Sequence, residues 1–508
     1  MEKIQLIQTK KEDDGNMNPI DTLYDSMMHM FYGIIIIFIL IITILLIALI
    51  LKQRAKYGDL KIATRKKACG IIFGMIMTWT GPKVVYSPIN KEGSTLVWGT
   101  SGSGKTASIL RPTINSIKDE ATTFCIDISG DIVSSITLDN VIIFGPDAEN
   151  SAAYNVFAPV DMINEDMSVS EEECHAKTIE QLIKIASQMI PELKDGDAEP
   201  AAVYFNNGGN RILAASLISG YFLNMDFIDI CTKINELSWK ELFRWIDSVN
   251  ISEACGLISQ FEGEQPEHIA SCMGKAKSFV ASIVTNYRVK QFLHRPRIIN
   301  GYREPSFTPS MLEYYNVFYV VNDGTDFDLF APLTRLIVAQ TMEYLESRHV
   351  EKDTHTILLT LDEYSSLSMA TETSQAAKKY RKKKVRLLVL TQSIADMDLM
   401  TCKGNTASRA TIDNFPYRLV LGAQDPESQR YFANSVGEHE VSTGNSQSQE
   451  TKREYWIPPE DFGRLDKHLV LMHPKGHMIL GKNYYHQHSK DILLGALLDF
   501  SIFKWRIR

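Results

Sequence analysis

The sequence predicts an α/β fold with a mostly parallel sheet, an all-helical insertion and one apolar helix near the amino terminus. Three observations carry this reading. Short continuous apolar runs recur between helical stretches, a glycine-rich loop follows one of those runs, and a single charge-free segment of 21 residues stands at positions 31–51.

The apolar runs lie at 94–98, 122–127, 141–144, 317–321, 356–361, 385–390, 418–421 and 468–472. They are continuous rather than alternating, as expected of strands covered on both faces, so the sheet is expected to be mostly parallel with helices on either side. Between 161 and 316 the pattern changes. Ile179, Leu182, Ile183, Ala186 and Met189 fall at helical spacing, and Ser238 with Glu241 forms a capping-box signature ahead of Leu242, Phe243 and Ile246. This region is read as an all-α insertion. Residues 442–452 are polar and are expected to form a loop or mobile segment.

The chain has 508 residues, 44% hydrophobic and 22% charged, which suits a folded chain of two or three domains and excludes general disorder. Net charge is −8, so the chain is no basic nucleic-acid coat, and any nucleic-acid contact is local. Seven cysteines are scattered and never spaced as CxxC, which excludes a disulfide framework or a zinc knuckle and fits a reducing compartment.

Residues 31–51 reach ~31 Å as a helix, the thickness of a bilayer core. The run starts too late and is too long for a cleaved leader, and it reads as a single transmembrane helix. Lys52, Arg54, Lys56, Lys61, Arg65, Lys66 and Lys67 follow it, whereas the twenty residues before it carry only Lys11 as a fixed positive charge. The positive-inside rule then places the bulk of the chain in the cytoplasm and 1–30 outside, as a single-pass protein of the plasma or inner membrane. Residues 68–79 are too short to span and read as strand and core.

The strongest chemical signal is Gly99-Thr100-Ser101-Gly102-Ser103-Gly104-Lys105-Thr106, a full GxxxxGK[ST] loop between the strand 94–98 and a helical segment. Glycines let successive N–H groups turn inward, the next helix presents its positive end, and a phosphate chain fills the nest. Lys105 is placed to neutralise the β and γ phosphates of ATP, and the Thr106 hydroxyl to ligate Mg2+. A second buried strand ending in an acid must complete such a site, and 356–361 followed by Asp362-Glu363 supplies it. Asp362 is the metal-side acid, and Glu363 the group that polarises an attacking water. Gln392, just past the strand 385–390, is read as a γ-phosphate sensor. These motifs define the expected architecture as a RecA-like P-loop core split into 52–160 and 317–485, with the insertion at 161–316 and a tail at 486–508.

Lys378-Lys379-Tyr380-Arg381-Lys382-Lys383-Lys384 is a dense cationic run that Arg386 extends into the next strand. Three readings stay open: a solvated face, an arginine reaching the next subunit's nucleotide, and a basic surface along DNA phosphates. Arg381 is the preferred finger, ahead of Arg409 and Arg418. Trp98 and Tyr364, each flanking a motif, read as packing residues.

With these motifs in place, the chain from about 58 to 485 resembles the TraG/TraD-type coupling proteins. Asp127-Ile128-Ser129-Gly130-Asp131 stands where that family has Asp-x-Lys-Gly-Glu, and Pro146 with Tyr154-Asn155 resembles its following Pro and Tyr-Asn pair. Asp362-Glu363, Arg381 and Gln392 keep the family's order, and Pro458, Glu460, Lys475-Gly476 and Lys482 resemble its carboxyl-terminal pattern. Ser129 departs from the usual lysine, and many members have two membrane helices where one is found here.

The resemblance implies a membrane-anchored, ring-forming ATPase, a homo-hexamer, that delivers relaxase-bound DNA or protein to a type IV secretion or conjugation channel. It implies as partners relaxase or accessory proteins, single- or double-stranded DNA, channel components and the membrane, with the all-α region helping to recognise cargo. Two other classes compete: a septal or viral-type DNA pump, and a membrane docking receptor that binds nucleotide without turnover.

Overall fold

The structure is a computed structural model that describes residues 27–28, 30–44, 58–128, 130–165, 168, 170–193, 199–321, 327–362, 370–399, 409, 411–443 and 450–483. The chain divides into two units, Met1–Asp59 and Leu60–Arg508.

In the first unit, residues 30–44 are helical. Its apolar side chains are exposed, Ile36 at 61% and Phe38 at 64% among them, and the Thr43 hydroxyl donates to the Ile39 carbonyl at 2.8 Å, which satisfies it within the helix. Among the described residues no helix is long and apolar enough to cross a membrane. Residues 45–51 of the expected span lie outside the described residues, as do the expected carboxyl-terminal tail 486–508 and the first 26 residues.

The second unit is organised on one twelve-stranded sheet. Its strands are β1 (Lys61–Ala63), β2 (Gly70–Thr78), β3 (Gly81–Pro88), β4 (Thr95–Trp98), β5 (Ala121–Asp127), β6 (Val141–Phe144), β7 (Asn316–Val320), β8 (Thr356–Leu361), β9 (Val385–Thr391), β10 (Tyr417–Val420), β11 (His468–His473) and β12 (Gly476–Gly481). The order is β1-β3-β2-β12-β11-β10-β4-β9-β8-β5-β7-β6. The seven strands from β10 to β6 are parallel throughout. Every residue of β4, β7, β8 and β9 is buried, which is the physical reason their sequences read as unbroken apolar runs. Of residues 68–79, Gly70–Thr78 lie in the sheet as β2 and Ile71, Ile72 and Phe73 belong to the core, whereas Trp79 stands in the following turn, fully exposed.

After the P-loop the chain runs as a π-helical turn, Thr106–Leu110, and continues as α1 (Arg111–Ile117). A helical region follows, comprising α2 (Ala158–Glu165), α3 (Glu171–Met189), α4 (Pro200–Phe222), α5 (Phe227–Glu236), α6 (Trp239–Val249), α7 (Ser252–Ser259), α8 (Pro266–Thr285) and α9 (Tyr287–Phe292). The Ser238–Glu241 capping box forms at the start of α6 with both reciprocal bonds. This region shares a continuous core with the sheet. From α3, Lys184 pairs with Glu343 at 2.8 Å and Gln188 donates to the same carboxylate at 3.0 Å, which fixes α3 to α10 (Phe327–Ser347).

Two sequence expectations are corrected. The insertion is not helical throughout: between Phe292 and a 3-10 turn at Pro309–Glu313, Ile298–Ile299 pairs with Tyr302–Arg303, and Ser306–Phe307 pairs with Ala153–Tyr154. Pro296 and Pro305, with Asn300-Gly301 in left-handed conformations, interrupt helix formation there. The polar segment 442–452 is in part sheet, because Glu438–Thr443 and Glu450–Tyr455 pair as an antiparallel ribbon around residues 444–449, which lie outside the described residues. Its cross-strand pairs are polar, Arg453 with Glu440 at 3.8 Å for instance, so no apolar alternation marks it in the sequence.

Candidate nucleotide site

The parallel register brings the predicted motifs to one edge of the sheet. Trp98 at the end of β4 lies opposite Thr391 at the end of β9, and Leu361 of β8 lies opposite Val389 of β9. Gly99 therefore leaves the sheet beside Gln392, and Asp362 emerges one strand further on. The Gly99 amide donates to the Thr391 carbonyl at 3.2 Å, which pins the first residue of the loop.

The loop itself is built by its small residues. Gly102 and Gly104 have φ of +74° and +91°, torsions that other residues adopt only under strain. A Cβ on Gly99 would stand 2.3 Å from the Ser103 hydroxyl. Among the described residues Ser103 Oγ is buried without a partner, an open hydrogen-bonding group within the cradle. Ser101 and Gly102 form the exposed tip, with Thr100 half-buried at the entry. Lys105 is buried at 7% exposure, and its ammonium donates to the Gly99 carbonyl at 2.6 Å, so it folds back over the loop it belongs to.

Across 256 positions of sequence, the Thr106 hydroxyl donates to Asp362 Oδ2 at 3.3 Å. A hydroxyl and a carboxylate converging at the mouth of the loop are hard oxygen donors of the kind Mg2+ takes, so the residues fit that ion. Asp362 is 8% exposed. Glu363 and Tyr364 lie outside the described residues, as do Ser129 and Cys402.

The cationic run divides when its contacts are followed. Lys379 pairs with Glu346 at 2.8 Å, Lys383 donates to the Arg348 carbonyl at 2.8 Å, and Lys384 donates to the carbonyls of Lys352 and Thr354 at 2.6 and 2.8 Å. Arg386 is 2% exposed, with its guanidinium donating to the Pro88 carbonyl at 2.7 Å and the Ser87 hydroxyl at 3.1 Å; burial pulls it down to about 10. Neither a solvated face nor a DNA surface describes that residue, which is a tether between β9 and β3.

Arg381 and Lys382 remain exposed, and Arg381 is ion-paired with Glu92 of the β3–β4 connection. Arg381 precedes β9 and so lies at the edge of the sheet opposite the P-loop of its own chain. Arg418 is held by the Phe415 carbonyl at 3.1 Å and by Asp413 at 3.5 Å, and Arg409 is exposed.

Asp127, Asp131, Tyr154, Asn155 and Trp98 make contacts that hold neighbouring elements together. Asp127 ends β5 level with Asp362 and accepts the Ile132 and Val133 amides at 3.0 and 2.9 Å, capping the helix Asp131–Ser135. Asp131 approaches Arg111 of α1 at 3.7 Å. Tyr154 is buried with its hydroxyl on Gln340 Oε1 at 2.5 Å, and Asn155 donates to Asp161 at 2.7 Å, securing the entry to α2. Trp98 is buried against Phe432, ring centroids 5.1 Å apart. Cys125, one strand from Asp362, is fully buried, and burial pushes its thiol well above the usual range, which leaves it inert. Local sequence gave no sign of Glu92 or of Arg348, whose roles come from long-range contacts.

A glycine-rich loop after one parallel strand, with an acid ending a strand one place removed, defines a P-loop α/β protein. Residues 79–455 match the family described as the type IV secretion-system coupling protein DNA-binding domain, and the chain belongs to that family. In fold it is similar to the bacterial conjugative coupling protein TrwBdeltaN70 in its unbound monoclinic form, with a TM-score of 0.63 and 19% identity over 82% of this chain and 89% of that one. It is also similar to the plasmid coupling protein TrwB in complex with ADP and Mg2+, with a TM-score of 0.61 and 18% identity over 77% of this chain and 85% of that one. The TrwB complex with a non-hydrolysable ATP analogue gives a TM-score of 0.60 and 19% identity, over 77% and 86%. No curated protein sequence matches the chain significantly.

Proposed function

We propose that this chain is a membrane-anchored ATPase that couples DNA or protein cargo to a type IV secretion channel, with ATP hydrolysis driving transfer. The observation that carries the reading is the contact between Thr106 and Asp362 at the mouth of the Gly99-to-Thr106 loop. Membership of the coupling-protein family and the nucleotide complexes of TrwB support it.

In this reading the loop amides hold the phosphate chain, and Lys105 leaves the Gly99 carbonyl to meet the β and γ phosphates. Thr106 and Asp362 hold Mg2+, which when bound supplies charge neutralisation across the phosphates. Glu363 takes the proton of the attacking water, and Gln392 reads the γ-phosphate from the neighbouring strand. Arg381 serves the nucleotide of the next subunit in a hexameric ring, a role open only in trans because its own P-loop lies at the far edge of the sheet. The apolar segment 31–51 anchors the chain in the plasma or inner membrane with its bulk in the cytoplasm. DNA, a relaxase or accessory protein and the channel are the partners, the helical region contributing to cargo recognition.

The test is steady-state ATP turnover by the purified full chain with and without DNA. Lys105→Ala and Glu363→Gln are each expected to abolish turnover while circular dichroism and thermal unfolding stay those of the parent. Turnover persisting in both variants rejects the site, and absence of turnover in the parent leaves a docking receptor as the better description.

A further inference from the structure

Arg348, at the end of α10, is 3% exposed and uses every arm of its guanidinium. Its Nε and Nη2 grip Glu313 bidentately at 2.6 and 2.7 Å. Nη2 also donates to the His355 carbonyl at 2.9 Å, and Nη1 to the carbonyls of Lys383 and Lys384 at 3.0 and 3.4 Å. In return Lys383 Nζ donates to the Arg348 carbonyl at 2.8 Å. One buried side chain thus binds the turn before β7, the connection before β8 and the connection before β9.

The last of these carries Arg381. On one side of it Tyr380 is fully buried with its hydroxyl on the Met342 carbonyl at 3.2 Å, and on the other Lys384 takes a left-handed conformation with φ of 50°. Arg381 and Lys382 therefore project from a short 3-10 turn fixed at both ends, and Arg348 supplies the bonds to the backbone carbonyls at its carboxyl end. A planar five-donor fork suits this task and a lysine does not, since an ammonium cannot hold one carboxylate bidentately and three carbonyls at once. Glu313 keeps the buried charge compensated, with its carboxyl held below the usual range by Arg348 and Tyr344 despite the opposing effect of burial.

We infer that Arg348 is a positioning residue that holds the 380–384 turn so that Arg381 is presented to the neighbouring subunit's nucleotide. This rests on the ring reading of Arg381 proposed above. Because Arg348 is buried and its guanidinium is spent on Glu313 and three backbone carbonyls, its loss should lower turnover through Arg381 alone and leave the P-loop of its own chain competent.

The experiment compares full-length Arg348→Gln, Arg381→Ala and their double variant, with nucleotide binding and assembly state measured alongside ATP turnover. Expected are a loss of turnover of about 10-fold or more in each single variant, a double variant no worse than Arg381→Ala, and nucleotide affinity within about twofold of the parent. Mixed with Lys105→Ala subunits, which keep an intact turn, Arg348→Gln subunits should recover turnover, a rescue that a general folding defect would not show. Should Arg348→Gln fail to fold, Arg348→Lys, which keeps charge and stem, carries the same comparison. Retained turnover in Arg381→Ala overturns both the inference and the assignment of Arg381. Turnover lost in Arg381→Ala but kept in the Arg348 variant, or a loss that Lys105→Ala subunits do not rescue, overturns the positioning role alone.

Discussion

Replacing Lys105 by methionine keeps the stem of the side chain and removes its charge, and the structure sets the size of the effect. A phosphate about 4 Å from the ammonium gains about 4 kcal/mol at an effective dielectric of about 20. Against this, the ammonium already holds the Gly99 carbonyl at 2.6 Å and must give up that bond. A charged hydrogen bond is worth about 1.5 to 3 kcal/mol, so about 1 to 2.5 kcal/mol remains, or about 5- to 70-fold in affinity. Calorimetric titration of a non-hydrolysable ATP analogue with Mg2+ into parent and Lys105→Met proteins measures it. An affinity in the variant equal to that of the parent would refute the argument, because no triphosphate could then be seated against this lysine. A loss beyond about a thousandfold would also count against it, since it would mean that the carbonyl bond costs nothing to break.

Three further outcomes are expected. Arg386→Ala, which removes the donors to the Pro88 carbonyl and the buried Ser87 hydroxyl and leaves a void between β9 and β3, should lower unfolding free energy by about 2 to 4 kcal/mol without changing nucleotide affinity; denaturant titration checks it, and a change in affinity at unchanged stability would reject the tether. His355, His473 and His477 are all lowered from an ordinary value of 6.5 by burial, so below that pH the unfolded chain binds more protons than the folded one. Their contribution is therefore present above pH 6.5 and is lost as pH falls below it, so melting temperature should drop between pH 7.5 and 5.5 and drop less in His473→Gln. Deleting residues 1–57 should move the protein from the membrane to the soluble fraction after cell lysis, and retention on membranes would show that another surface binds them.

Much of the sheet was legible because a strand buried on both faces leaves little choice of residue. All eight apolar runs became strands of the main sheet, with edges shifted by a residue at most, as at β7 and β10. The P-loop was legible for a similar reason, since its glycines and Lys105-Thr106 are demanded by backbone torsion and phosphate charge rather than by distant neighbours. The polar ribbon Glu438–Thr443 with Glu450–Tyr455 was not, because it meets solvent on a surface where charged pairs replace apolar alternation. The cationic run misled most at Arg386. Its charge looks like a surface feature until folding sets it beside the Pro88 carbonyl, 298 positions earlier in the chain. The same holds for Arg348, whose partners come from three separate connections.

Strand β9 has one property that follows from its place in the order. It is hydrogen-bonded along both flanks, to β4 and to β8, so it cannot stretch, and it can slide only by breaking a ladder on each side. Gln392 stands at one tip and the turn bearing Arg381 at the other, some 20 to 23 Å away for seven residues. The strand therefore acts as a spacer that keeps Gln392 and the Arg381 turn at a fixed separation.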